Sequence, residues 1–211
     1  MKVSAFLIAL LITLVTCRSQ EKTDQKDLLM KYTVFNRSIS TGTMAGTIHL
    51  NEAEGVGIAW VNGQEFKYGT IEFDVKGKDI LQQSFVGIAF HGLNDSTYEA
   101  IYFRPFNFQS NDPVRKSHAV QYIANPKYDW PRLRSEFPNK YEQPVNPAPD
   151  PNAWFHVRIT VESNTINVFV NNSNDASLTV KPLVSLAGNK IGFWAGNNSS
   201  GDWKNLTIHS K

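Results

Sequence analysis

Between residues 154 and 171 the chain alternates with a period of two through a tight turn. Phe155, Val157, Ile159 and Val161 interleave with Trp154, His156, Arg158, Thr160 and Glu162. After Ser163-Asn164 the apolar residues recur at Ile166, Val168 and Val170. Side chains on a strand project to opposite faces in turn, so this pattern demands a hairpin with one buried face and one polar face. A chain that commits two long strands in this way needs a second sheet to cover the apolar face. The rest of the sequence supplies it. Short runs rich in β-branched and aromatic residues predict strands at Thr47–Leu50, Val56–Val61, Tyr68–Val75, Phe85–Phe90, Tyr98–Arg104, His118–Ile123, Ser177–Val180, Lys190–Ala195 and Lys204–His209. Turn residues separate them, as at Asn62-Gly63, Asn94-Asp95 and Gly188-Asn189. The expected fold is therefore all-β, an antiparallel β-sandwich or a barrel. No sustained helical period occurs beyond the N-terminal apolar run, although Arg132–Phe137 could hold one helical turn. The chain shows no internal repeat and no second domain.

The N-terminus follows a different logic. Lys2 precedes an apolar run from Ala5 to Val15, shorter than the roughly 20 residues a membrane span needs. It has the form of a secretory signal over residues 1–16. The run ends at Leu14-Val15-Thr16-Cys17, which resembles a bacterial lipobox, with Thr16 where a smaller residue is usual. That resemblance implies lipidation of Cys17, a polar tether over residues 17–31, and a sandwich domain over 32–211 at the cell envelope, periplasmic or surface-exposed. Leu28-Leu29-Met30 could already begin ordered packing. Cys17 is the only cysteine, so the folded body has neither disulfides nor thiol chemistry. Lys and Arg total 21 against 19 Asp and Glu, and this near-neutral balance argues against a nucleic-acid partner. The segment Asn125–Asn152 breaks the strand pattern with seven prolines, Pro126 to Pro151, and the aromatics Tyr128, Trp130, Phe137 and Tyr141. Aromatics interleaved with prolines predict an ordered loop packed on the sandwich.

Several runs carry a family resemblance: Gly69-Thr70-Ile71-Glu72-Phe73-Asp74-Val75, Phe85-Val86-Gly87-Ile88-Ala89-Phe90, Tyr98 through Arg104, Trp154 through Ile159, and Lys190-Ile191-Gly192-Phe193-Trp194. Together they resemble the concanavalin A-like lectin/glucanase (laminin-G-like) jelly rolls. Within that superfamily the chain is most similar to secreted bacterial proteins near the 3-keto-disaccharide hydrolase domain. The resemblance implies two curved sheets, a concave face and a carbohydrate ligand; fold alone implies no reaction. Glucanases of this superfamily use Glu-x-Asp-x-x-Glu, and here Glu72-Phe73-Asp74 is followed by Lys76 and Gly77, so the second glutamate is missing. Glu72 and Asp74 are then expected on an outer, solvated face. No metal ligands are assigned. The resemblance leaves room for a structural Ca²⁺ at Asn94-Asp95-Ser96 or Asn197 to Asp202, which Asx turns explain equally well.

The richest chemistry lies in Tyr98–Phe108 and His118–Tyr122. Tyr102, Arg104 and Asn107 bring a ring, a guanidinium and an amide together, and His118, Gln121 and Tyr122 fall on the next strand. Sugars bind through C–H faces stacked on rings and hydroxyls held by planar donors and acceptors. His91 at a strand end and Trp130 on the Pro-rich loop could line the same groove, or serve as a loop histidine and a loop anchor. Glu99 and His118 are the candidate catalytic acid/base groups. Parity limits the set: Tyr98, Tyr102 and Arg104 share one strand face, while Glu99, Ile101 and Phe103 share the other. Ile101 and Phe103 suit a core, which favours Tyr102 and Arg104 for the groove unless a bulge intervenes. For Arg104, a ligand contact and a structural ion pair are both open. Trp60, Trp154, Trp194 and Trp203 suit core or rim packing. Three functions remain: a carbohydrate-binding lipoprotein, a glycosidase-type hydrolase centred on Glu99 or His118, and a protein-binding scaffold.

Overall fold

The computed structural model describes residues 26–185 and 188–211. Cys17, the signal segment and the tether up to residue 25 lie outside the described residues. Two seven-stranded antiparallel sheets face each other. The first runs β1(Tyr32–Phe35), β4(Gly57–Glu65), β13(Lys190–Ala195), β6(Val86–Asn94), β7(Thr97–Phe103), β8(Val120–Asn125), β9(Glu142–Gln143). The second runs β12(Leu178–Val180), β11(Ile166–Val170), β10(Phe155–Val161), β5(Gly69–Lys76), β14(Gly201–Ser210), β3(Ile48–Leu50), β2(Ile39–Thr41).

The alternation predicted for the central hairpin is present. β10 pairs with β11 from Val157↔Val170 to Val161↔Ile166, and along β5 every second residue is buried. Glu72 and Asp74 sit on the outer face of the second sheet beside His156, and Asp74 Oδ1 lies 2.8 Å from His156 Nδ1. Between the sheets, Phe103 meets Phe155 edge-to-face at 5.2 Å and Phe193 stacks on Trp203 at 5.5 Å. Burying such rings supplies most of the driving force, about 25 cal/mol per Å² of apolar surface.

The first sheet departs from a half-wetted strand pattern. β6 and β7 are buried on both faces along most of their length. The cover on the outer face comes from two chain segments. One carries α1(Pro105–Phe108) and α2(Pro113–Lys116); the other is the Pro-rich segment with α3(Trp130–Glu136) and β9. Proline opens each helix, where its missing N–H costs nothing. Asp129 caps α3 by accepting from Arg132 N at 3.1 Å, and Leu133, Tyr141 and Val145 anchor the segment in the core. Residues 26–31 are helical, and Leu28 is buried in the main cluster. The tether expected over 17–31 therefore ends before its predicted limit. Leu28 is drawn in because it finds apolar surface there, and Asn62 Nδ2 donates to Met30 O at 3.0 Å.

Candidate functional site

A groove of about 700 Å³ opens on the outer face of the first sheet. Its floor follows from strand register. Gly87 on β6 lies between Tyr102 on β7 and Trp194 on β13. With no side chain on Gly87, the two flanking rings close over it and stack, centroids 4.7 Å apart at 27°. A Cβ at Gly87 would stand 2.1 Å from Ile101 O and 2.6 Å from Tyr102 Cα. Gly87→Ala is therefore expected to cost about 3 kcal/mol through overpacking and to split the aromatic floor. Urea denaturation checks the first effect and ligand titration the second.

Polar groups border this floor. Arg104, just past β7, is buried. Its Nη1 donates to His118 O at 2.8 Å, and its Nη2 to the Tyr102 hydroxyl at 2.7 Å and to Gln121 Oε1 at 3.0 Å. The guanidinium lies over the Tyr102 ring at 4.9 Å. Gln121 is fully buried and also donates to Tyr122 O, so it positions Arg104 from below. Asn107 is fixed at both ends: Nδ2 donates to His118 O and Oδ1 accepts from Arg115 Nε, each at 3.3 Å. Trp130 forms an exposed rim, 47% accessible, with the Arg134 guanidinium 4.9 Å over its ring. Asn125 Nδ2 donates to the Tyr98 hydroxyl, while its buried Oδ1 has no partner among the described residues.

Behind the polar border lies Glu142, buried and absent from the sequence-based candidates. Arg134 grips it with both prongs, Nε to Oε1 at 2.8 Å and Nη2 to Oε2 at 2.7 Å. Arg104 Nη1 is 3.7 Å and His118 Nδ1 3.3 Å from Oε2. Burial pushes the His118 pKa below its ordinary value, and the charges of Arg134 and Arg104 outlast the opposing pull of Glu142 and Asp112. His118 is thus a neutral imidazole at pH 7, able to donate or accept. Burial likewise raises the Tyr102 pKa, with Glu142 adding to it against Arg104 and Arg134, so its hydroxyl keeps its proton.

Glu99 does not join the groove. Alternation along β7 is unbroken and turns Glu99 to the inner face with Ile101 and Phe103. There its carboxylate accepts from the Tyr122 hydroxyl and from His91 Nδ1. The bulge that the sequence hides is on β6: the register slips between Phe90 and Asn94, and His91 adopts φ +51. A bulge re-aims the side chain it carries, and here it sends the imidazole inward. His91 Nε2 lies 2.5 Å from Lys67 O, so both ring nitrogens face acceptors and the ring is an imidazolium. Three of the sequence-based candidates, Glu99, His91 and Tyr122, therefore form a buried polar network on the side opposite the groove.

Burial alone would lower the His91 pKa, but the hydrogen bonds to Glu99 and Lys67 O and the Glu99 charge together raise it. A raised folded-state pKa means the stabilisation is complete below the ordinary value near 6.5 and is lost as pH climbs through the raised value. Unfolding free energy is expected to fall between neutral and alkaline pH, and His91→Gln to flatten that slope. Denaturant titrations at stepped pH check this.

The oxygen-rich loops are engaged with protein donors. Asp95 Oδ1 accepts from the Trp60 indole at 2.7 Å, Asn197 Oδ1 from Gly55 N at 2.7 Å, and Asp202 Oδ1 lies 2.7 Å from His49 Nδ1. No three His, Cys, Asp or Glu side chains converge among the described residues.

No family model matches the sequence, and no curated protein matches it either. Solved structures do match. A carbohydrate-binding module, CBM66 from Bacillus subtilis, superposes with a TM-score of 0.58 at 12% identity, over 84% of this chain and 94% of that one. A Bacillus subtilis protein of unknown function with a galectin-like fold gives 0.57 at 13%, over 90% and 91%. A Bacillus licheniformis β-glucanase gives 0.51 at 16%, over 83% and 82%. The fold is the two-sheet β-sandwich jelly roll that these structures share. In this jelly roll the groove lies on the outer face of the first sheet, and the Glu72-Phe73-Asp74 strand lies in the second. Among the described residues, the one carboxylate that lines the groove, Asp129, caps α3. The residues that sequence reasoning missed are Trp194, Arg115, Arg134, Asn125 and Glu142. Only Trp194 left a usable signal, its parity opposite to Phe193.

Proposed function

We propose that this domain is a carbohydrate-binding module that holds a glycan in the groove over Tyr102 and Trp194, and that lipidation of Cys17 displays it at the cell envelope. The stacked Tyr102–Trp194 floor carries the reading. Beside this apolar floor, the exposed Trp130 ring offers a sugar a C–H stacking surface, and Arg104, Asn107 and His118 offer planar hydrogen-bond partners. The jelly-roll neighbours include a protein described as a carbohydrate-binding module. Binding is preferred to hydrolysis because glycosidase chemistry uses two carboxyls flanking the scissile bond. Glu142 is clamped by Arg134, Asp129 caps a helix, and Glu99 lies on the other face. The leader ending at Cys17 supports export and anchoring.

A glycan screen of the purified protein, reading binding and product release together, tests this. Binding without products is expected. Trp130→Ala should weaken it up to about tenfold, the worth of one exposed aromatic contact, with an unchanged melting temperature. Absence of binding to any glycan defeats the reading. Product release that vanishes in His118→Ala would make the protein an enzyme.

A further inference from the structure

The groove holds more guanidinium than a neutral sugar requires. Arg104, Arg115 and Arg134 all line it, and no lysine among the described residues does. Its acids are already engaged: both Glu142 oxygens receive Arg134, and Asp129 Oδ1 caps α3. The donors are not exhausted. Arg115 places Nη2 on Phe106 O at 2.9 Å and Nε on Asn107 Oδ1, leaving Nη1 with no protein acceptor among the described residues. Arg134 uses Nε and Nη2 on Glu142, and its Nη1 likewise has no protein acceptor among the described residues. Among the described residues that line the groove, three guanidiniums face one carboxylate, Asp129, while Glu142 lies behind the wall and Asp112 caps α2. Cations thus predominate at the lining, and two of them carry an Nη1 donor without a protein acceptor. Guanidinium forks in such a setting match carboxylate and sulfate groups.

Resting on the carbohydrate reading above, we propose that the groove selects sugars bearing an anionic substituent, a uronate carboxylate or a sulfate ester, and that Arg115 and Arg134 read that substituent beside the aromatic floor. Arg115 is the cleaner probe, since its removal leaves the Glu142 clamp intact.

The test is isothermal titration of the full chain with three ligands: trigalacturonate, a neocarrabiose sulfate that carries no uronate, and neutral galactotriose. At least one anionic ligand should bind about tenfold or more tightly than galactotriose, the scale of one charge-assisted hydrogen bond. The preference should shrink as NaCl rises from about 50 to 500 mM, because screening shortens the Debye length from over 10 Å to a few Å. Arg115→Gln should remove most of the preference with a melting temperature close to wild type, and Arg115→Lys should restore it in part. Which anionic ligand binds identifies the substituent. If galactotriose binds as well as or better than both anionic ligands, the anion preference is overturned and the carbohydrate site stands. If none of these ligands and no glycan of the wider screen binds, both fall. A preference unchanged in Arg115→Gln and in Arg134→Gln overturns the assignment of the arginines.

Discussion

Glu142→Gln is expected to cost about 3–5 kcal/mol of folding stability, the range found when one partner of a buried ion pair is removed, and to abolish glycan binding. The carboxylate is buried, with Arg134 bidentate on it and Arg104 and His118 close by. Glutamine keeps the shape but not the charge, so Arg104 remains buried without a counter-ion. Arg104 then rests only on neutral acceptors, Tyr102, Gln121 and His118 O, and its orientation over the Tyr102 ring is lost. Urea denaturation and glycan titration measure the two losses. The variant also frees His118 from the nearer of the two carboxylates that favour its charged form, so the His118 pKa should move lower still; NMR titration of the imidazole reads this.

Glu99→Gln should be as damaging to stability and harmless to the groove. Glu99 neutralises the buried His91 imidazolium and accepts from Tyr122, whose pKa is driven up by burial and by the Glu99 charge. Losing the carboxylate strands a charged ring stacked against Phe66 and packed on Phe90, at a cost of about 3–5 kcal/mol. As pH rises the stranded ring loses its proton, and the deficit relative to wild type should shrink. Glycan affinity of the folded fraction should stay within about twofold of wild type, because Glu99 faces the opposite side of β7 from Tyr102 and Arg104. Loss of turnover or of affinity in this variant would return Glu99 to the site.

The parts of this molecule that could be read in advance are those where one physical rule acts alone. β5, β10 and β11 alternate cleanly because one face is wet, and the hairpin register follows from that. The same rule separated Tyr102 and Arg104 from Ile101 and Phe103 on β7, a strand with no wet face at all. The structure keeps that separation and puts the first pair on the groove. Reading failed where tertiary context decides. β9 is two residues long between prolines and exists because β8 offers an edge, so Glu142 carried no local signal. α1 and α2 are single turns opened by proline and held by Asp112 and by packing. His91 was expected at a groove edge, and a left-handed residue inside a bulge turned it inward. Trp194 was assigned to core or rim packing. It is nearly inaccessible, yet it is stacked on Tyr102 over a glycine and forms the groove floor. Burial and a place in the groove lining coincide there, and no single-residue rule distinguishes them.

The central claim is that a glycan sits on the Tyr102–Trp194 floor. Its most direct test follows the five indole N–H resonances during titration with a bound glycan from the screen. Trp194 and Trp130 should shift with ligand, while Trp203, whose indole donates to Gly87 O in the core, and Trp154, which packs under Lys204 on the second sheet, should not. Shifts confined to Trp154, with Trp194 and Trp130 silent, would place the ligand on the other sheet and contradict the account.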